Sequence, residues 1–115
     1  MKPLTTCAAV ACFLCPALER AEAASALGAE SAFAQALMQS MEKMDSDMMS
    51  APMNGDPDHD MSAMMIPHHQ GAIDMAKVVL QYGKDDTVKG WANQIIAAQE
   101  KEIAEMQDWL KAHGE

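Results

Sequence analysis

The stretch Met61-Ser-Ala-Met-Met-Ile-Pro-His-His-Gln-Gly-Ala-Ile-Asp-Met75 places four methionines and two histidines within about four helical turns. Thioether sulfur is a soft, uncharged donor that suits Cu(I) and, by the same softness, Ag(I); imidazole accepts copper in either oxidation state. Successive helical residues turn by ~100°. With Met61 at zero, Met65 lies near ~40°, His68 near ~−20°, Ala72 near ~20°, Met75 near ~−40° and Met64 near ~−60°. One imidazole and several thioethers therefore share a face. His69, near ~80°, sits at the edge of that stripe. Adjacent histidines diverge by ~100°, so His69 needs a kink at Pro67, or a second chain, to join His68 on one ion. On this reading His68 and Met65 anchor the site, with Met61, Met64 and the upstream methionines as a thioether rim.

Further soft ligands lie upstream. Met41, Met44 and Met48 repeat the three- and four-residue spacing, and Met48, Met49, Met53 and His59 surround a turn. Asp45, Asp47, Asp56, Asp58 and Asp60 cluster at the same end and would raise the local cation concentration. The competing reading is packing: a methionine stripe at helical spacing usually fills a core, which applies to Met41, Met44 and Met106 individually. His68 would then be a core histidine bonded to Gln99 or Glu102. Met49, Met53 and Met64 fit packing less well, because they fall off or at the margin of the seams. Other chemistries have less to stand on. A di-iron bundle needs inward glutamates and Glu-x-x-His pairs, and the sequence contains no such pair. Zinc at His68 and His69 lacks a third strong ligand at helical spacing. No nucleophile, base and acid set is visible, so no enzymatic activity is expected.

Three helices must position these groups. Phe33, Leu37, Met41, Met44 and Met48 form a seam of steps of four and three, giving helix A from about Ala29 to Ser50, ended by Pro52. Ala24 to Ala29 reads as a frayed lead-in. Asp56-Pro57-Asp58 is a helix start, with a capping carboxylate, a proline in the first turn and negative charge at the positive dipole end. Helix B is expected from Pro57 to Tyr82, kinked at Pro67, with Gly83 as a left-handed stop. The alternative is a shorter helix that starts at Pro67. Asp85 caps helix C, which runs to about His113. Its inward positions read as Val88, Trp91, Ala92, Ile95, Gln99, Ile103, Met106 and Leu110, and Gly90 reads as permitting a close approach. No stretch reads as a strand. The expected fold is all-α, a small antiparallel bundle of about three helices.

Composition sharpens the puzzle. Residues 1–23 read as an export signal: Lys2, an apolar run from Cys7 to Leu18, and a small-x-small site at Ala21-Glu22-Ala23. Its removal would take all three cysteines, leaving residues 24–115 as one domain without disulfide or thiolate, held by packing. It would take Lys2 and Arg20 with Glu19 and Glu22, so the formal charge of −9 is unchanged. So acidic a chain repels nucleic acid and anionic lipid and attracts cations. Beyond residue 23 there are eleven methionines against four leucines, the reverse of ordinary usage. Methionine specifies a core poorly. A ligand role accounts for the excess, and the thin core of about ninety residues is compatible with a monomer or a homodimer.

The segments Met65-Ile-Pro-His-His-Gln-Gly-Ala-Ile-Asp-Met-Ala76, Gly83-Lys-Asp85 and Ile95-Ile-Ala-Ala-Gln-Glu-Lys-Glu-Ile-Ala-Glu-Met-Gln-Asp-Trp-Leu110 resemble the Domain of Unknown Function 305 family, ferritin-like helical domains of exported bacterial proteins. The short single-domain form resembles periplasmic copper metallochaperones. The resemblance covers roughly Met41 to Gly114. It implies copper binding in tolerance or delivery, with periplasmic transport or efflux proteins as partners and no membrane insertion. Carried across by position, it marks Met65, His68, His69 and Met75 on helix B, and Gln99, Glu102 and Met106 on helix C. Asp45 stands where short relatives carry a histidine, which weakens an imidazole ligand from helix A. Met61 stands where an aromatic is usual, which adds a thioether. The expected cargo is copper, Cu(I) before Cu(II), with Ag(I) as a mimic. The rival expectation is a metal-free periplasmic interaction module with a Met-rich core.

Overall fold

The computed structural model describes residues 16–114 and consists of three helices, α1 (Pro16–Met49), α2 (Pro57–Tyr82) and α3 (Asp86–Ala112), with no strand among the described residues. The charged start and the cysteines of the expected leader lie outside them. Helix α1 begins earlier than its apolar seam: residues 24–29, expected as a frayed lead-in, are helical. The reason is local, since Ala21, Ala23, Ala24, Ala26 and Ala29 make this the chain's densest run of the best helix former. At the other end the amides of Ser50 and Ala51 close on Ser46 and Met48, and Pro52 stops the helix.

The turn into α2 is built from carboxylates. The Asp60 side chain accepts from the amides of Asn54 (2.8 Å) and Gly55 (3.0 Å), and Asn54 Oδ1 accepts from the Asp56 amide at 2.8 Å. Gly55 sits at φ 89°, where a side chain would be strained. Asp56 caps α2, accepting from the amides of Asp58 (2.9 Å) and His59 (3.0 Å). Two of the five aspartates clustered at this end, Asp56 and Asp60, are thus engaged in building the turn. Asp60 is held below the usual carboxylate range, first by the Asn54 amide and next by the His59 side chain.

Helix α2 continues through Pro67, so a separate helix starting there is ruled out. Gly83 is not left-handed, having φ −69° and ψ 154°. Its amide donates to the Val79 carbonyl at 2.7 Å, and a Cβ there would lie 2.5 Å from that oxygen. Glycine is needed for closeness, because the chain runs straight on into the next cap. That cap is Asp85, whose Oδ1 accepts from the Val88 amide at 2.9 Å.

Helix α2 is the centre of the molecule. Both α1 and α3 pack on it, whereas α1 and α3 make no close backbone approach to each other among the described residues. Along α1–α2, Phe33 meets the Tyr82 ring edge-on at 6.0 Å, and Met44 seats on Gly71, where a Cβ would collide with the thioether sulfur. These contacts fix an antiparallel register. Among the described residues the buried apolar ones are small or few: Ala63, Ile73, Ala76, Val78, Ala92 and Leu110. Val88, Trp91 and Ile95, expected to face inward, are exposed, Trp91 by 58%. The α3 seam faces open space there because no third helix covers it, and α2 is met through Ala92. Gly90 likewise has nothing within 4 Å of its missing Cβ, so it permits no close approach.

Candidate metal centre

On the same helical wheel as the methionine stripe, the buried residues of α2 lie at ~60° (Ala76), ~120° (Ile73), ~200° (Ala63), ~260° (Val78) and ~280° (Gly71). The arc from ~−80° to ~60°, which carries no fully buried residue, holds Met61 and His68, both exposed, and Met64, Met65, Ala72 and Met75, all half-buried. The stripe therefore occupies the least covered part of the central helix. His69, at ~80°, falls within the covered arc.

This reverses the two histidines. His68 is exposed. His69 is turned towards α3, where its Nε2 lies 2.5 Å from Glu102 Oε2, with the imidazole side chain 15% and the carboxylate side chain 50% exposed. The partner expected for His68 belongs to His69. A carboxylate only accepts, so Nε2–H donates and Nδ1 of the neutral ring carries the lone pair. That Nδ1 is buried and makes no hydrogen bond, and the same holds for Oε1 of Gln99, one helical turn before Glu102. Two electron-pair donors thus stand unpartnered near the α2–α3 contact. A buried unmade hydrogen bond costs about 1–3 kcal/mol.

A groove of about 680 Å³ runs along this contact, lined by Asp58, Met61, Ser62, Met65 and His69 of α2 and by Glu102, Glu105, Met106 and Trp109 of α3. Of the nine expected ligands it gathers four: His69, Met65, Met61 and Met106. It does not gather the others. His68 is solvent-facing; Met44 is the knob on Gly71; Met48, Met64 and Met75 are half-buried outside the groove. Met61 is 67% exposed and Met65 half-buried, so the thioethers range from the rim inward.

Glu102, which the sequence offers as a partner for His68 and the resemblance marks on helix C, orients the His69 imidazole instead, in the manner of metal-bound histidines, whose second nitrogen is held by a carboxylate. The groove also adds two residues that spacing alone does not single out. Glu105 adds negative charge. Trp109 forms a wall, with His113 stacked on it at 3.9 Å and 15° between planes. The signal for Glu102 is present in the chain, 33 residues from His69 in an antiparallel hairpin, but only a fixed register makes it usable. No group of three or more His, Cys, Asp and Glu among the described residues is placed to hold an ion. The soft donors that line the groove together are one imidazole and three thioethers, a set suited to a soft monovalent ion.

The sequence pattern of the family described as "Domain of unknown function (DUF305)" matches residues 58–115. An "Uncharacterized protein" of Acanthamoeba polyphaga mimivirus is 46% identical over 46 residues, which cover 40% of this chain. The match spans 30% of that relative's length. Neither description states an activity.

Proposed function

The chain belongs to the DUF305 family, and from that premise we propose that it is a copper-binding protein that sequesters or passes on Cu(I) in the periplasm, without catalysis. The observation that carries this reading is the His69 imidazole: its Nε2 is held by Glu102, and its Nδ1 is buried without a partner beside a groove of methionines. His69 and Met65 supply the inner donors, Met106 closes from α3, and exposed Met61 is the point at which the ion arrives and is handed on. Ligand exchange through a solvent-facing thioether would let a transport or efflux partner take the ion without the site unfolding. The charge of −9 draws cations towards the molecule.

Replacing Met61, Met65 and Met106 together by leucine keeps volume and apolarity but removes the sulfurs. Purified from copper-supplemented periplasm, the wild type should carry copper and the triple variant should carry at most about a tenth as much, at equal helix content. Equal loading of the two proteins would move the site elsewhere.

A second reading is favoured by the uncovered α3 seam of Val88, Trp91 and Ile95: a metal-free interaction module whose apolar face receives a partner helix. It expects melting that does not respond to Ag(I) or Cu(I), and full function after His69→Gln.

A further inference from the structure

Trp109 is left over from the ligand set, yet it borders the same groove as Met61, Met65, His69 and Met106. Its ring is held. The His113 imidazole stacks on one face at 3.9 Å, and His113 Nδ1 donates to the Trp109 carbonyl at 2.7 Å, one turn back along the helix. The same indole separates the groove from a smaller cleft lined by Asn54, Asp56, Asp58, His59 and His113. One face is thus covered, the ring has little freedom, and the indole lines the groove together with the three methionines.

We propose that Trp109 is a cation–π wall of the soft-metal site, and that it selects a weakly hydrated monovalent ion, Cu(I) or Ag(I), over hydrated divalent ions. This rests on the copper reading above. The indole face carries negative electrostatic potential and attracts a cation within about 6 Å of the ring centre, most strongly where water is excluded. The thioethers are neutral and one of them, Met61, is mostly in solvent, so the indole, beside Met106 on the α3 side, adds apolar boundary that the groove otherwise lacks. A monovalent ion with few ligands gains from such a wall. A divalent ion that keeps bound water is held away from it. The stacked His113 fixes the ring, so little rotamer entropy is lost when the ion enters.

The chain supplies its own control. Trp91, the other tryptophan of the chain, is 58% exposed and lies about 27 Å along α3 from Trp109. The full chain carrying Trp91→Phe reports Trp109 alone, and one carrying Trp109→Phe reports Trp91 alone. Titrated with Ag(I), with bound silver measured independently by chelator competition, the Trp91→Phe protein should show saturable quenching that ends at the binding stoichiometry. The Trp109→Phe protein should show none. Affinity should fall in the order Trp, Phe, Leu at position 109, reaching about tenfold for Trp109→Leu, while Zn(II) affinity stays level across the three. Silver bound at full stoichiometry with unchanged Trp109 emission overturns the role of Trp109 and leaves the site standing. No silver bound by the wild type overturns both. The emission arm leaves the groove intact, so a fold lost in Trp109→Leu does not decide the outcome.

Discussion

At His69 the two ring nitrogens have different roles, one held by a carboxylate and one bare, and the binding proposal turns on that asymmetry. Glu102→Gln keeps the shape of the partner but removes its charge, and loss of a carboxylate holding a metal-bound histidine costs about 10–100-fold in affinity. A Cu(I) or Ag(I) competition titration should find that loss, with melting in the absence of metal nearly unchanged, because the glutamine side chain can still accept from Nε2–H at this half-exposed contact. Asp60 gives a second test. Its carboxyl is held low by the Asn54 amide and then by His59, so its contribution to stability is complete above the unfolded-state value near 4 and is lost as pH falls through the lower folded value. Acid titration followed at His59 by NMR should show the 54–60 turn loosening only below about pH 4. Asp60→Asn should loosen it already at neutral pH. The residue types at the site are legible in the sequence. Which histidine faces the second helix is not, because the methionine stripe reads as the covered face, whereas the covered face of α2 is marked by Ala63, Gly71, Ile73, Ala76 and Val78.

Two glycines separate what an element needs from what it tolerates. Gly71 has Met44 pressed on it so closely that even the Met44 Cβ would lie 2.7 Å from an added methyl, so the obstacle is more than a flexible tip. Gly71→Ala should destabilise by about 1–3 kcal/mol through overpacking, seen in urea denaturation, and Met44→Ala should partly rescue it. Gly90 faces open space on α3. Gly90→Ala should therefore stabilise by about 0.5–1 kcal/mol, by the same measurement. Helix bounds are largely readable because caps are local chemistry: Asp56 with Pro57, and Asp85, act within three residues of themselves. Gly83 is readable as a stop but not as an extended residue, since its conformation is set by where the chain goes next. The inward face of α3 fails as an expectation at Val88, Trp91 and Ile95 for a non-local reason. Periodicity says that a face is apolar, and only tertiary packing says whether another helix covers it.

Among the described residues, a central α2 flanked by two helices whose backbones do not approach each other leaves two open troughs, one with the methionines and one lined by residues such as Asp47, Ala63, Ile66, Ile103 and Leu110. Among the described residues the buried set is small, and eight large apolar residues, from Met38 to Ile95, are exposed. A core this thin predicts association at higher concentration; sedimentation should show it, and Trp91→Glu should reduce it while sparing metal affinity. Everything proposed about function stands on a soft-metal site at His69. Competition for Cu(I) against a chromophoric chelator under anaerobic conditions, run on wild type, His68→Ala and His69→Ala, decides whether that site exists. Wild type and His68→Ala should bind within a factor of about two to three of each other. His69→Ala should bind at least about tenfold more weakly, a difference of about 1.4 kcal/mol, with the same helix content in all three. Equal affinity for wild type and His69→Ala, or loss with His68→Ala alone, would contradict a site centred on His69.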